Sequence, residues 1–251
     1  MSELKKMNLI ASSPTIDVYD DGENAVKIFK PDSAKTVVLY EALTHSRVEE
    51  TGLPIPKVLE VRKIDGRWSI IMEKIEGQTM ADALAENPNN AMKYLESFVD
   101  IQLKIHSKRS PKISKYKDFL MRKINETSLD DVKKYELATR LESMPKHVKL
   151  CHGNYSLENV ILNKRGVFIV DWVAAKQGNA SADVAKTYLL LSLKYPELAE
   201  SYLDLFCKKS DTKKKYVQGW LPIMAAAQLK HAKSDEELEL LNKWIDVVDY
   251  E

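Results

Sequence analysis

Leu150-Cys-His-Gly-Asn-Tyr-Ser-Leu-Glu-Asn159, followed by a short apolar run that closes on Asp171-Trp172, is the stretch whose reading decides the fold. His152, Asn154 two positions on and Asn159 seven positions on make the loop pattern H-x-[D/N]-x-x-x-x-N. Phe168-Ile-Val170 then reads as a buried strand that ends on a carboxylate. An unpaired charge at such a strand end is costly, and a bound cation best explains it. An amide oxygen from Asn159 and the Asp171 carboxylate are hard donors of the kind magnesium takes.

Working outward, the 251 residues suffice for one large domain or two modest lobes. Lys and Arg number 38 against 37 Asp and Glu, so no overall charge excess points to nucleic acid. The basic runs Lys112–Lys117 and Lys208–Lys215 read as solvated helix ends or loops. Cys151 and Cys207 stand far apart without a C-x-x-C, which argues against a disulfide framework or a zinc site. No run of about 18 apolar residues is present and the N-terminus lacks a signal-peptide core, so a soluble, cytoplasmic protein without membrane contact is expected.

The first third is punctuated like a small sheet. Lys6–Ala11 and Thr15–Tyr19 are short apolar-rich runs, and Asp20-Asp21-Gly22-Glu23 has a hairpin composition. Asn24–Lys30 alternates, with Ala25, Lys27 and Phe29 on one face and Val26 and Ile28 on the other. Pro31-Asp32-Ser33 ends that strand and supplies helix-start residues. A helix from about Ala34 to Glu50 follows, carrying Val37, Tyr40, Glu41, Leu43, Thr44 and Val48, and Gly52 stops it. Strands near Lys57–Arg62 and Trp68–Lys74 are joined by Asp65-Gly66. After Gly77 the texture turns helical: about Met80–Glu86, Ala91–Ser107, Tyr116–Glu126, Asp130–Glu142, and from Ala182 onward. The expected class is α+β: residues 1–76 form an antiparallel-sheet lobe with one helix, residues 77–251 a mainly helical lobe, with a cleft between.

In order and spacing, Val26-Lys-Ile-Phe-Lys30, Thr51–Lys57, Ile71–Gly77, His152–Asn159 and Ile169-Val-Asp-Trp172 resemble the aminoglycoside phosphotransferase and choline kinase-like group of the protein-kinase-like fold. The resemblance runs over most of the chain. It implies an ATP- (or other NTP-) and Mg²⁺-dependent transfer of the γ-phosphate to a hydroxyl of a small metabolite or an aminoglycoside-like acceptor. Under it, Lys27 meets the α- and β-phosphates and is braced by Glu41. Glu73 and Ile75 give backbone contacts to adenine and Met72 lines the pocket behind. Asn159 and Asp171 hold metal, and Asp183 ties the loop backbone from the following helix. His152 reads as structural, and Ser181 as a candidate cap for that helix. Ala11–Thr15 departs from a glycine-rich phosphate loop, leaving Ser12, Ser13 and their N–H groups to cradle phosphate.

A second departure bears on activity. Position 154, where the catalytic aspartate is expected, is Asn, which orients a hydroxyl but takes no proton at neutral pH. General-base help is worth ~10²–10⁴ in rate. Two readings stand open: a slow kinase, with another carboxylate such as Glu158 close by, or a pseudokinase that binds nucleotide and acts by conformation. For the acceptor, the late helices offer Trp220, Met224, Gln228, His231, the acidic group Asp235–Glu239, Asp246 and Asp249. Trp220 and Met224 read equally as core, and Ser234 with Glu237 has capping-box spacing. Neither the acceptor nor an oligomeric state follows from these residues.

Overall fold

The computed structural model describes residues 3–246, so Asp249 lies outside the described residues. The chain packs as two compact units, both discontinuous in sequence. One is the chain up to Glu86 with Leu157–Val173, and the other is Asn87–Ser156 with the chain from Ala174 onward.

The first unit holds strands β1 (Asn8–Ser12), β2 (Ile16–Asp20), β3 (Asn24–Phe29), β4 (Val58–Ile64) and β5 (Arg67–Glu73), with helix α1 (Lys35–Glu49) between β3 and β4. They form an antiparallel sheet in the order β1-β2-β3-β5-β4. Asp65 and Gly66, both at positive φ, close the β4–β5 hairpin. As the alternation of β3 predicts, the sheet is apolar on both faces. Val26 and Ile28 pack with Ile64 and Ile71 on one side, and Phe29 packs with Val38, Ala42 and Ile70 on the other.

Helix α1 turns half of the expected stripe inward, Glu41, Thr44 and Val48, and the other half outward. Val38, Glu41, Ala42, His45 and Val48 are buried, while Val37, Tyr40 and Leu43 face out. Polar residues win inward positions because partners await them: Lys27 for Glu41, and the Pro56 carbonyl, 2.6 Å from His45 Nε2. Ser33 does not cap the helix, since the first position belongs to Ala34 without a side-chain cap.

A single boundary at residue 76 misses how the rest of this unit closes. Strand β6 (Gln78–Thr79) pairs with β8 (Val160–Asn163), which pairs with β9 (Gly166–Ile169), and this hairpin brings the 157–173 segment to the first sheet. Gly77 allows the approach, because a Cβ there would lie 2.2 Å from the Leu162 carbonyl oxygen. Ile169 N–H donates to the Pro54 carbonyl at 2.9 Å. Helix α2 (Met80–Glu86) completes the unit.

The second unit is mainly helical: α3 (Ala91–His106), α4 (Tyr116–Asn125), α5 (Asp131–Ser143), α6 (Ala180–Lys194), α7 (Pro196–Ser210), α8 (Lys214–Gln218), α9 (Leu221–Gln228) and α10 (Asp235–Ile245). Its two short strands, β7 (Lys149–Cys151) and β10 (Lys176–Gly178), pair antiparallel. Asn179, not Ser181, caps α6, its side chain accepting from Ser181 N–H at 2.9 Å. Trp220 and Met224 are core residues, each 1% exposed. Ser234 caps α10 by accepting from Glu237 N–H, and the Glu237 carboxylate returns to Lys233 N–H rather than to Ser234. Among the described residues no helix is long and apolar enough to cross a membrane.

Candidate active site

In the first unit, three charged side chains meet. Lys27 stands at the centre of β3, flanked by Val18 of β2 and Ile70 of β5. Its ammonium donates to Glu41 Oε1 on α1 and to Asp171 Oδ1 at 3.2 Å. Lys27 and Glu41 are 6% and 7% exposed, whereas the Asp171 side chain is one-third exposed. Burial pulls the Lys27 ammonium down, but the Asp171 and Glu41 carboxylates outweigh it and hold its pKa above the ordinary lysine value. One ammonium against two carboxylates leaves a net negative corner, open on the Asp171 side.

Asp171 follows β9 in the left-handed region, at φ 64°. A side chain there costs roughly 1–3 kcal/mol, and Asp tolerates it better than most. The next residue pins the bend: Trp172 is buried and donates Nε1–H to the Ile169 carbonyl at 3.0 Å. Val170 N–H donates to the Asn159 carbonyl at 3.0 Å, which sets Asn159 beside the strand end that carries Asp171. Asn159 and Asp171 thus follow one another across a backbone hydrogen bond, and both carry oxygen donors of the hard type.

Ser12 and Ser13 lie at the β1–β2 turn with their hydroxyls engaged there. Ser12 donates to Asp17 Oδ1 at 2.7 Å and Ser13 to the Ile16 carbonyl at 3.1 Å, while Ser13 N–H donates to the same carbonyl at 2.8 Å. Asp17, buried and held below the usual carboxylate range by hydrogen bonds from Lys30 and Ser12, anchors that turn. At the end of β5, Met72 and Glu73 are half-buried, and Glu73 gives its N–H to the Lys57 carbonyl at 2.9 Å. Ile75 follows in the non-regular segment before β6.

The second unit carries the first half of the loop. Asp183, fully buried on α6, accepts from His152 N–H at 3.0 Å and Gly153 N–H at 2.7 Å, and pairs with His106 Nε2 at 3.0 Å. Burial alone would raise the Asp183 carboxyl, yet the His106 and backbone donors hold it below the ordinary value. Hydrogen bonds to a charged acceptor are worth roughly 1.5–3 kcal/mol each. His152 is fully buried, its Nδ1 accepting from the Asn154 N–H at 3.3 Å. Gly153, at φ 79°, admits no side chain, because a Cβ would sit 2.2 Å from the Ala174 carbonyl oxygen.

The loop's far side is held by Tyr155, which stacks on Phe98 at 4.2 Å and donates its hydroxyl to the Phe98 carbonyl at 2.9 Å. Thr187 Oγ1 donates to the Tyr155 carbonyl at 3.2 Å and accepts from Gln102 Nε2 at 3.1 Å. Asn154, half-buried, therefore stands on a backbone fixed at both neighbours. Glu158 lies half-buried on the one-turn 3₁₀ helix Leu157–Asn159. Sequence reasoning did not single out His106 and Gln102. Their signal was polar residues on the buried stripe of α3, in step with Leu95, Phe98, Val99 and Ile105.

The family model of the phosphotransferase enzyme family matches residues 11–220. The chain belongs to this family. Among solved structures, the aminoglycoside phosphotransferase APH(4)-Ia is similar at 16% identity and TM-score 0.70, covering 96% of this chain and 91% of that one. The amicoumacin kinase hAmiN, in complex with AMP-PNP, Ca²⁺ and Ami, is similar at 13% identity and TM-score 0.64, with 96% and 86% covered. A choline/ethanolamine kinase family protein from Mesorhizobium loti is similar at 14% identity and TM-score 0.60, with 96% and 88% covered. These likenesses carry the protein-kinase-like fold. No curated protein matches the sequence.

Proposed function

We propose that this member of the phosphotransferase enzyme family is an ATP- and Mg²⁺-dependent kinase that transfers the γ-phosphate to a hydroxyl of a small molecule. The observation that carries the reading is the meeting of Lys27 with Glu41 and Asp171, from β3, α1 and the end of β9. A buried ammonium with an open side is suited to polyphosphate oxygens, and Glu41 keeps it charged and aimed. Asn159 and Asp171 would hold the magnesium, which supplies neutralisation of charge on the phosphates. Met72, the Glu73 carbonyl and the Ile75 backbone would take adenine. At the β1–β2 turn, phosphate contact would fall to backbone N–H groups more than to the committed hydroxyls of Ser12 and Ser13.

Asn154 would orient the acceptor hydroxyl without removing its proton. A loose phosphoryl transition state tolerates that loss at reduced rate. The same residue favours the second reading, a nucleotide-binding pseudokinase that works through conformation. Melting curves with and without ATP and Mg²⁺ test the shared premise: a shift is expected, and its absence for wild type removes both readings. Turnover then separates them. Under the kinase reading Asn154→Asp raises turnover by roughly tenfold or more, and an unchanged, undetectable rate leaves the pseudokinase.

A further inference from the structure

Lys186 lies on α6 between Asp183, which holds the backbone of His152 and Gly153, and Thr187, which holds Tyr155. It is half-buried, and among the described residues its ammonium has one hydrogen-bond partner, the neutral Oε1 of Gln228 at the end of α9. Burial lowers its pKa to about 8, and among the described residues no carboxylate offsets that effect. His231, three residues past Gln228, is pushed down by burial, by Lys186 and by Lys123. Lys123 is matched, 2.9 Å from Glu126, and Glu126 also feels Lys230. Among the described residues of the late helices, Asp235 and Glu236 are exposed in the first turn of α10, and Asp246 lies 3.4 Å from Lys133.

Two other buried lysines show what satisfaction looks like. Lys27 has two carboxylates. Lys176, whose pKa is also lowered to about 8, donates to the Ala174 and Ala175 carbonyls at 3.3 and 3.0 Å and lies 5.0 Å over the Phe119 ring. Among the described residues Lys186 has neither arrangement. An ammonium drawn out of water with one amide partner is costly until an anion meets it.

The geometry points to Lys186, with Gln228 and His231, as the recognition point for an anionic group on the acceptor. The acceptor is then a hydroxyl-bearing carboxylate or phosphate ester, and not a polycation such as an aminoglycoside. The inference rests on the phosphotransferase reading, and places the anion contact on the helix that holds the loop of Asn154.

The test uses the full chain and four probes: D-glycerate, glycerol 3-phosphate, neutral glycerol and cationic choline. Saturable stabilisation against heat at pH 7 is expected with one or both anions, with neither control, and with the affinity falling as pH rises through about 8. The two anions separate a carboxylate from a phosphate preference. Lys186→Met is expected to fold with a Tm no lower than wild type and to bind the anion at least tenfold more weakly. Gln228→Glu, which supplies the missing carboxylate, is expected to raise Tm and abolish anion binding. The inference is overturned if wild type binds neither anion, if choline binds as well, or if Lys186→Met keeps the affinity or unfolds.

The ATP and Mg²⁺ melting shift, measured in the same wild type and variants, keeps the two readings apart. That shift, with turnover of a neutral or cationic alcohol, sinks only the anionic acceptor. Anion binding without any ATP shift sinks the kinase reading.

Discussion

Lys27 on β3 and Lys186 on α6 are both ammonium groups drawn out of water, one in each compact unit, yet their surroundings are opposite. Lys27 sits between the carboxylates of Glu41 and Asp171 and its pKa is raised, whereas Lys186 faces one amide and its pKa falls to about 8. The difference teaches which part of a site is finished by the fold itself. The first cation is completed by the protein and holds its charge at every physiological pH. The second is completed only from outside.

The largest effect that can break this contrast is removal of the satisfied cation. Lys27→Met leaves two carboxylates facing each other and should cost about 3–5 kcal/mol, read by equilibrium denaturation. A loss under about 1 kcal/mol would reduce the trio to the standing of a solvated surface pair. Next comes Asp183, a buried charge satisfied by neutral and imidazole donors. Asp183→Asn should lose about 2 kcal/mol and loosen the backbone of His152 and Gly153. Because the folded carboxyl lies below its ordinary value, the stability it adds is present above about pH 4 and is lost as pH falls through the folded value. The gap between wild type and variant should therefore close in acid, and a gap that persists at pH 2 would contradict the assignment.

The smallest effect has the opposite sign. Lys186→Met should leave stability at pH 7 unchanged or slightly raised, since it removes a charge that burial disfavours. The folded protein sheds the Lys186 proton near pH 8 while the unfolded chain keeps it to about 10.5, so this penalty fades as pH rises across that window. Denaturation at pH 7 and pH 10 should show wild type gaining relative to Lys186→Met. The Lys27 cluster behaves inversely, keeping its full contribution below the unfolded pKa and losing it only as pH rises through a folded value above 10.5. Equal slopes for the two variants would erase the distinction.

Much of this was legible in the residues. The alternation of Asn24–Phe29 placed Lys27 on the face of Phe29, and the structure puts that face against α1. Helix spacing put Glu41 inside α1, and the strand ending on Asp171 brought its carboxylate to Lys27. The inward stripe of α1 was misread in part because Val37, Tyr40 and Leu43 look like core residues, and His45 like a surface residue, until the carbonyl of Pro56 is in place. The division into units escaped for a related reason. A two-residue strand, Gln78–Thr79, carries no periodicity of its own, yet its pairing with Val160–Asn163 fixes where the 157–173 segment belongs. Lys186 was passed over because a lysine within an apolar helix reads as snorkelling until the missing counter-charge is seen.

The discontinuity of the first unit has a consequence during synthesis. Asp171 leaves the ribosome 130 residues after Glu41, a delay of roughly 7 to 26 s at about 5–20 residues per second. Until Asp171 is made, Lys27 can meet only one of its two carboxylates. The β8–β9 hairpin that later pairs with Gln78–Thr79 is still unmade. The intervening helices are translated while this half-built partner waits, so the charge trio is among the last features of its unit to be assembled.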